Sequence, residues 1–149
     1  MGLNLDKPWI AARIPHQGDM CLLDRVIAWD GERILCRVCD HRQPTHPLRA
    51  HGRLGAACGV EFAAQAMAVH GVLLAGGALA VPRTGFLASV RGVELHVARL
   101  DDIADDLAVE AERLLGDADH IIYGFAVRAA GRLLLGGRAT VVLDEARRL

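Results

Sequence analysis

From Leu54 to Val81 the only polar side chains are Glu61, Gln65 and His70, set among alanines, glycines and a few larger aliphatic residues. A run this long and apolar fits either a bilayer-spanning helix or a helix enclosed by the rest of a folded domain. A central carboxylate is expensive in hydrocarbon, and Gly76-Gly77 interrupts the segment before Pro82. The expectation is therefore a buried core helix and no membrane span. Small side chains let neighbouring backbone approach such a helix closely. They also make Glu61 conspicuous, because an unpaired buried carboxylate costs several kcal/mol or changes its protonation state. It must be paired, stand beside a wet cleft, or be employed.

What surrounds the helix reads as strands. "DLAVEAERLL" alternates Leu107, Val109 and Ala111 with charged residues, and "HIIYGFAVRA" puts Ile121, Tyr123, Phe125 and Val127 on one side. "TGFLASVRGVELHV" and "RLLLGGRATVVL" are also β-compatible, and Gly131 marks a hairpin turn. Upstream, "DRVIAW" and "RILCRVC" flank Asp30-Gly31, a second hairpin signal. Two strands, one long helix and about four further strands predict an α+β class with an antiparallel sheet. One helix cannot cover both faces of a sheet, so the sheet must curl around it or an exposed face must meet another subunit, in a homo- or hetero-oligomer.

The 149 residues are the length of one ordinary domain, taken as 1–149, and 52% hydrophobic residues suffice for a core. Seventeen basic against eighteen acidic side chains leave no electrostatic footprint for nucleic acid. The first residues lack a cationic segment followed by an apolar stretch, so a cytoplasmic location is expected. In that reducing setting Cys21, Cys36, Cys39 and Cys58 are read as free thiols. The Cys36-x-x-Cys39 spacing, without a second cysteine pair, is not read as a metal site.

Three stretches resemble the hotdog-fold 3-hydroxyacyl-(acyl carrier protein) dehydratases. "IPHQGDMCLLDRV" resembles that family's opening, here Pro15, His16, Leu22, Leu23, Asp24, Arg25 and Val26. "GVEFAAQAMA" resembles its helix signature, an acid followed four residues later by Gln, here Glu61 and Gln65. "GFLASVRGVELHV" resembles the strand after that helix, beginning at Phe86 to Ala88. Within the superfamily, "HPLR" followed by "GVEFAAQAMAVHG" is most similar to the dehydratase-like proteins of aryl polyene biosynthesis clusters. The resemblance implies a curled antiparallel sheet wrapped around a long central helix, an acyl carrier protein bearing the substrate on phosphopantetheine, and no metal or redox cofactor. It also implies a homodimer or higher assembly, or a heterodimer with a second hotdog chain.

The family's catalytic pair is a histidine before the helix and an acid on it, contributed by different subunits. The resemblance carries these onto His46 and Glu61, although the usual His-Phe-Pro-Gly segment is absent and Pro47 follows His46 directly. Dehydration needs a base for the C2 proton and an acid for the C3 hydroxyl, so His46 is expected as base and Glu61 as acid or water-orienting group. Backbone N–H groups of Gly55, Ala56 and Ala57 are expected to receive the thioester oxygen. Gln65 is expected to hydrogen-bond the Glu61 carboxyl from one turn away. Read from the residues alone, Glu61 with Gln65 fits a satisfied polar pair in a core equally well. His51 is the rival base, and His16 is given a structural or pocket-lining role. Arg49 and Arg53 are candidates for a phosphopantetheine phosphate or an acidic carrier, weighed against ordinary surface arginines. "LDDIADD" reads as a solvated turn, and His70, Met67 and Cys58 as core or interface. Two further readings stay open: a hotdog thioesterase, and a non-catalytic subunit of a heteromeric dehydratase. Acyl length, and carrier protein against coenzyme A, are not legible.

Overall fold

In the computed structural model the described residues are 4–14, 20–77, 83–117 and 119–145, side chains at 83, 84, 144 and 145 excepted. The first opening-motif residues, Pro15 and His16, lie outside them.

A short helix α1 (Lys7–Ala11), capped by the Asp6 side chain on the Trp9 N–H, precedes the hairpin β1 (Arg25–Trp29) and β2 (Arg33–Val38). The hairpin closes where predicted: Asp30 Oδ1 accepts the N–H groups of Glu32 and Arg33, both at 2.8 Å. After a long loop, a 3-10 turn (Ala56–Cys58) leads into α2 (Gly59–Leu74). Gly76 and Gly77, with φ of +95° and +76°, end that helix. Their N–H groups return to Leu73 and Val72 carbonyls at 3.1 and 2.8 Å, a left-handed closure that glycine adopts without steric penalty. The chain then forms β3 (Arg83–Leu95), β4 (Leu107–Gly116), β5 (His120–Ala129) and β6 (Arg132–Glu145). Ala130 and Gly131, both at positive φ, make the two-residue turn joining the last two.

The six strands pair antiparallel in the order β1-β2-β4-β5-β6-β3, leaving β1 and β3 as edges of an open sheet. Strict alternation decides which face receives the helix. On β4 Leu107, Val109 and Ala111 are buried, and on β5 Ile121, Tyr123, Phe125 and Val127, as their period of two predicts. Facing them, Phe62, Ala63, Ala66 and Val69 of α2 have no exposed surface. The helix is long and apolar enough to cross a membrane by length and composition, but most of that window is buried in the fold.

The burial is not uniform around α2. Val60, Glu61, Ala64 and Ala68 are half-buried and Ala57, Gly71 and Leu74 exposed, so one stripe of the helix stays open. Edge strand β3 is open as well: Phe86, Leu87, Val93 and Leu95 are exposed hydrophobics. The cysteines are free thiols, and the described residues contain no cluster able to hold a metal ion.

Candidate active site

Turns rather than regular structure position the loop between β2 and α2. The N–H of His46 donates to the Gln43 carbonyl at 3.0 Å, and its own carbonyl accepts the Arg49 N–H at 3.1 Å. This folds His46 inward to 6% exposure, with its ring centre 5.8 Å from that of Phe62 on α2. His51 takes the opposite course. It occupies a tight turn between Ala50 and Arg53 with φ +54° and is exposed, so of the two imidazoles only His46 reaches the start of the helix.

The two nitrogens of His46 differ. Nδ1 accepts the Leu48 N–H at 3.2 Å, whereas Nε2 is buried with no partner among the described residues. In a neutral imidazole the nitrogen that accepts carries the lone pair and the other carries hydrogen. The contact therefore selects the Nε2–H form, and a base acting through Nε2 would need the opposite tautomer. Burial lowers the pKa of His46, opposed by the Asp40 carboxylate and reinforced by His41, Lys7 and Arg49. Burial thus favours the neutral ring, whose buried Nε2 edge, without a partner among the described residues, is then a hydrogen-bond donor.

Glu61 lies on the half-open stripe of α2, about 100° around the helix from Phe62, against which His46 packs. Gln65 does not spend its amide as expected. It is fully buried, its Oε1 accepts the Leu22 N–H at 2.9 Å and its Nε2 donates to the Met20 carbonyl at 2.7 Å. Its work is to staple residues 20–22 to the helix. Of the expected oxyanion donors, the Ala56 N–H is occupied by the Ala98 carbonyl at 3.1 Å. Gly55 and Ala57 flank it at the helix start, where no side chain caps the turn.

Asp101, Arg49 and His41 are placed where the sequence reading did not put them. Asp101 is buried rather than solvated: its Oδ1 accepts the Leu54 N–H and the Arg99 Nε–H, each at 3.0 Å. Paired with Arg99, its carboxyl is held well below the usual carboxylate range. Arg49 is no free surface cation, since it donates to the Gly52 and Arg42 carbonyls at 3.1 and 3.0 Å, while Arg53 is exposed. His41 is fully buried, its Nε2–H donating to the Ile103 carbonyl at 2.9 Å. No sequence periodicity marks these residues. His70 and Met67 are core as expected. The His70 ring bonds the Tyr123 hydroxyl at 2.7 Å and the Asp30 carbonyl at 2.8 Å.

A long helix cradled by one open antiparallel sheet, with an imidazole folded in at the helix start, defines a hotdog-like protein. The chain belongs to the ApeP-like family, described as ApeP dehydratase, whose model matches residues 8–148. Among solved structures it is similar to the dehydratase heterocomplex ApeI:P from Xenorhabdus doucetiae, with TM-score 0.80 and 21% identity over 99% of this chain and 94% of that one. A mutant thioesterase from Pseudomonas aeruginosa shares 14% identity over 82% of this chain and 81% of its own, with TM-score 0.59. A hypothetical thioesterase with coenzyme A from Streptococcus pneumoniae shares 12% over 83% and 88%, with TM-score 0.60. At these identities the structural likeness speaks for the fold alone. No curated protein matches the chain.

Proposed function

We propose that the chain dehydrates a carrier-bound 3-hydroxyacyl thioester to a trans-2-enoyl thioester, as one subunit of a hotdog assembly in the cytoplasm. Family membership supports dehydratase chemistry. The observation that carries the site is the buried Nε2 edge of His46 beside α2, without a partner among the described residues.

The tautomer divides the labour differently from the sequence expectation. The Glu61 carboxylate takes the C2 proton, and the C–H electron pair moves onto the thioester oxygen. There Nε2–H of His46 donates a hydrogen bond, a neutral imidazole serving as electrophile. The pair then returns to form the C2=C3 bond, the C3–O bond breaks, and the departing hydroxyl takes the proton from Glu61. Water leaves and the carboxylate is regenerated. N–H groups at Gly55 and Ala57 offer further support to the oxygen. Gln65 acts through the packing of residues 20–22 rather than on the acid.

Glu61 lies on the open stripe and His46 on the enclosed side, so the reading has them meet across an interface in which a second hotdog chain covers that stripe and β3. The ApeI:P heterocomplex supports a heteromeric partner.

The test compares His46→Gln with His46→Ala, in the presence of a second hotdog chain if the protein is silent alone. Glutamine keeps a donor but cannot shuttle a proton, so it should retain well over tenfold more turnover than alanine. Equal loss in both variants would return the base role to His46. Formation of free thiol in place of enoyl thioester would identify a thioesterase, the chemistry named for two fold neighbours. A chain that stimulates its partner with both variants fully active would be a non-catalytic subunit.

A further inference from the structure

The loop that carries His46 is tied down by a buried ion pair away from the imidazole. Asp101, between β3 and β4, has 4% of its side chain exposed, and Arg49 has 18%. Arg49 Nη2 lies 3.5 Å from Asp101 Oδ2. The same guanidinium donates backward to the Arg42 carbonyl and forward to the Gly52 carbonyl, so one side chain closes the loop from both ends. Asp101 is fixed in turn by Arg99 and by the Leu54 N–H, and Leu54 and Ala56 are stitched to residues 98–100 through backbone bonds of 2.8 and 3.1 Å.

Such a pair is poorly explained as a source of stability. Desolvating two charges offsets most of their attraction, and an apolar pair of similar volume often does as well. What the pair does supply is a single arrangement, because a rigid guanidinium fork serves several acceptors at once only in one geometry. Here that arrangement sets the turn containing His46, whose carbonyl accepts the Arg49 N–H and whose ring accepts the Leu48 N–H.

We propose that Arg49 and Asp101 form a positioning clamp that holds the His46 imidazole against Phe62 at the start of α2. The functional meaning of the clamp rests on the reading of His46 given above. Neither residue touches the reacting atoms. Arg49 also contributes to the charge around the imidazole, together with Asp40, His41 and Lys7. Removing the Arg49 cation should raise the His46 titration midpoint, and removing the Asp101 anion should lower it by leaving Arg49 uncompensated.

The experiment uses the full chain as Asp101→Asn, Arg49→Gln and Arg49→Lys, followed by NMR of the His46 ring and by turnover. The nuclear Overhauser contact between His46 and Phe62 should weaken in all three. The midpoint should fall in Asp101→Asn, rise in Arg49→Gln and stay near wild type in Arg49→Lys, which keeps the charge without the fork. Turnover should drop about 10- to 100-fold through kcat, with KM changed less than kcat. An unchanged contact and midpoint in Asp101→Asn and Arg49→Gln would overturn the clamp. If either variant unfolds, Arg49→Lys decides alone: an unchanged His46–Phe62 contact there overturns the proposal. A wild-type protein without dehydratase activity would sink the functional reading, whereas the NMR result would still decide whether the clamp exists.

Discussion

Replacing Gln65 with leucine tests how the N-terminal segment is held to the core. The substitution keeps most of the volume and removes both amide functions. It leaves the Leu22 N–H and the Met20 carbonyl without their partners. Leu22 is 1% exposed, so its N–H has no route to water, and an orphaned buried donor costs about 1–3 kcal/mol. Met20 is 37% exposed, so its carbonyl can rehydrate and adds roughly 0.5–1 kcal/mol. Leucine regains part of this through its own burial. The net expectation is about 2 kcal/mol, or roughly 4–8 °C in Tm for a chain of this size. Urea denaturation followed by circular dichroism measures it as a lower midpoint at unchanged slope. Gln65→Glu is the informative control. A protonated glutamic acid can accept from Leu22 and donate to Met20, whereas the carboxylate faces the Met20 carbonyl with no hydrogen. Burial would raise the folded-state pKa of this new acid above its unfolded value. Its stability should be highest below the unfolded pKa of about 4.3 and fall as pH rises through the folded one. A Gln65→Leu variant with the wild-type midpoint would refute the staple.

Gly59→Ala should destabilise by about 1–3 kcal/mol in the same assay, because a Cβ there would stand 2.6 Å from Cδ2 of Leu135, which has no exposed surface to retreat into. Tyr123→Phe should remove the hydroxyl that donates to His70 and lower stability by about 1–2 kcal/mol. Burial depresses the folded-state pKa of His70 below the unfolded value near 6.5, so its contribution is present above that pH and fades as pH falls through the folded value. A denaturation midpoint flat between pH 7 and pH 5 in wild type would contradict this. The Cys36 thiol, pushed up to about 12 by burial, should resist alkylation in the folded protein, as should buried Cys21, and both should react in urea. Mass spectrometry of iodoacetamide-treated protein reads the difference.

The fold was legible because its signals are local and periodic. Alternation on β4 and β5, the turns at Asp30-Gly31 and Gly131, and the double glycine after α2 each act within a few residues, and each lies where the structure has it. The site was legible only in part. His46 beside α2 follows from the resemblance, but its tautomer depends on a single backbone N–H two residues away, which no pattern encodes. Asp101 looked like one acid among several in "LDDIADD", and Gln65 like a partner for its helical neighbour. Both instead serve backbone groups distant in sequence, Leu54 and Leu22, and contacts of that kind arise only once the chain has folded.

The most direct test of the proposed chemistry is enoyl thioester formation from a 3-hydroxyacyl carrier thioester by wild-type protein and by Glu61→Gln, matched for folding and assembly. Glutamine preserves shape and hydrogen bonding but cannot accept the C2 proton, so turnover at the site that uses this residue should fall by a factor of roughly 100 or more. Wild-type rates in the variant would contradict the assignment of Glu61 and with it the account of the site.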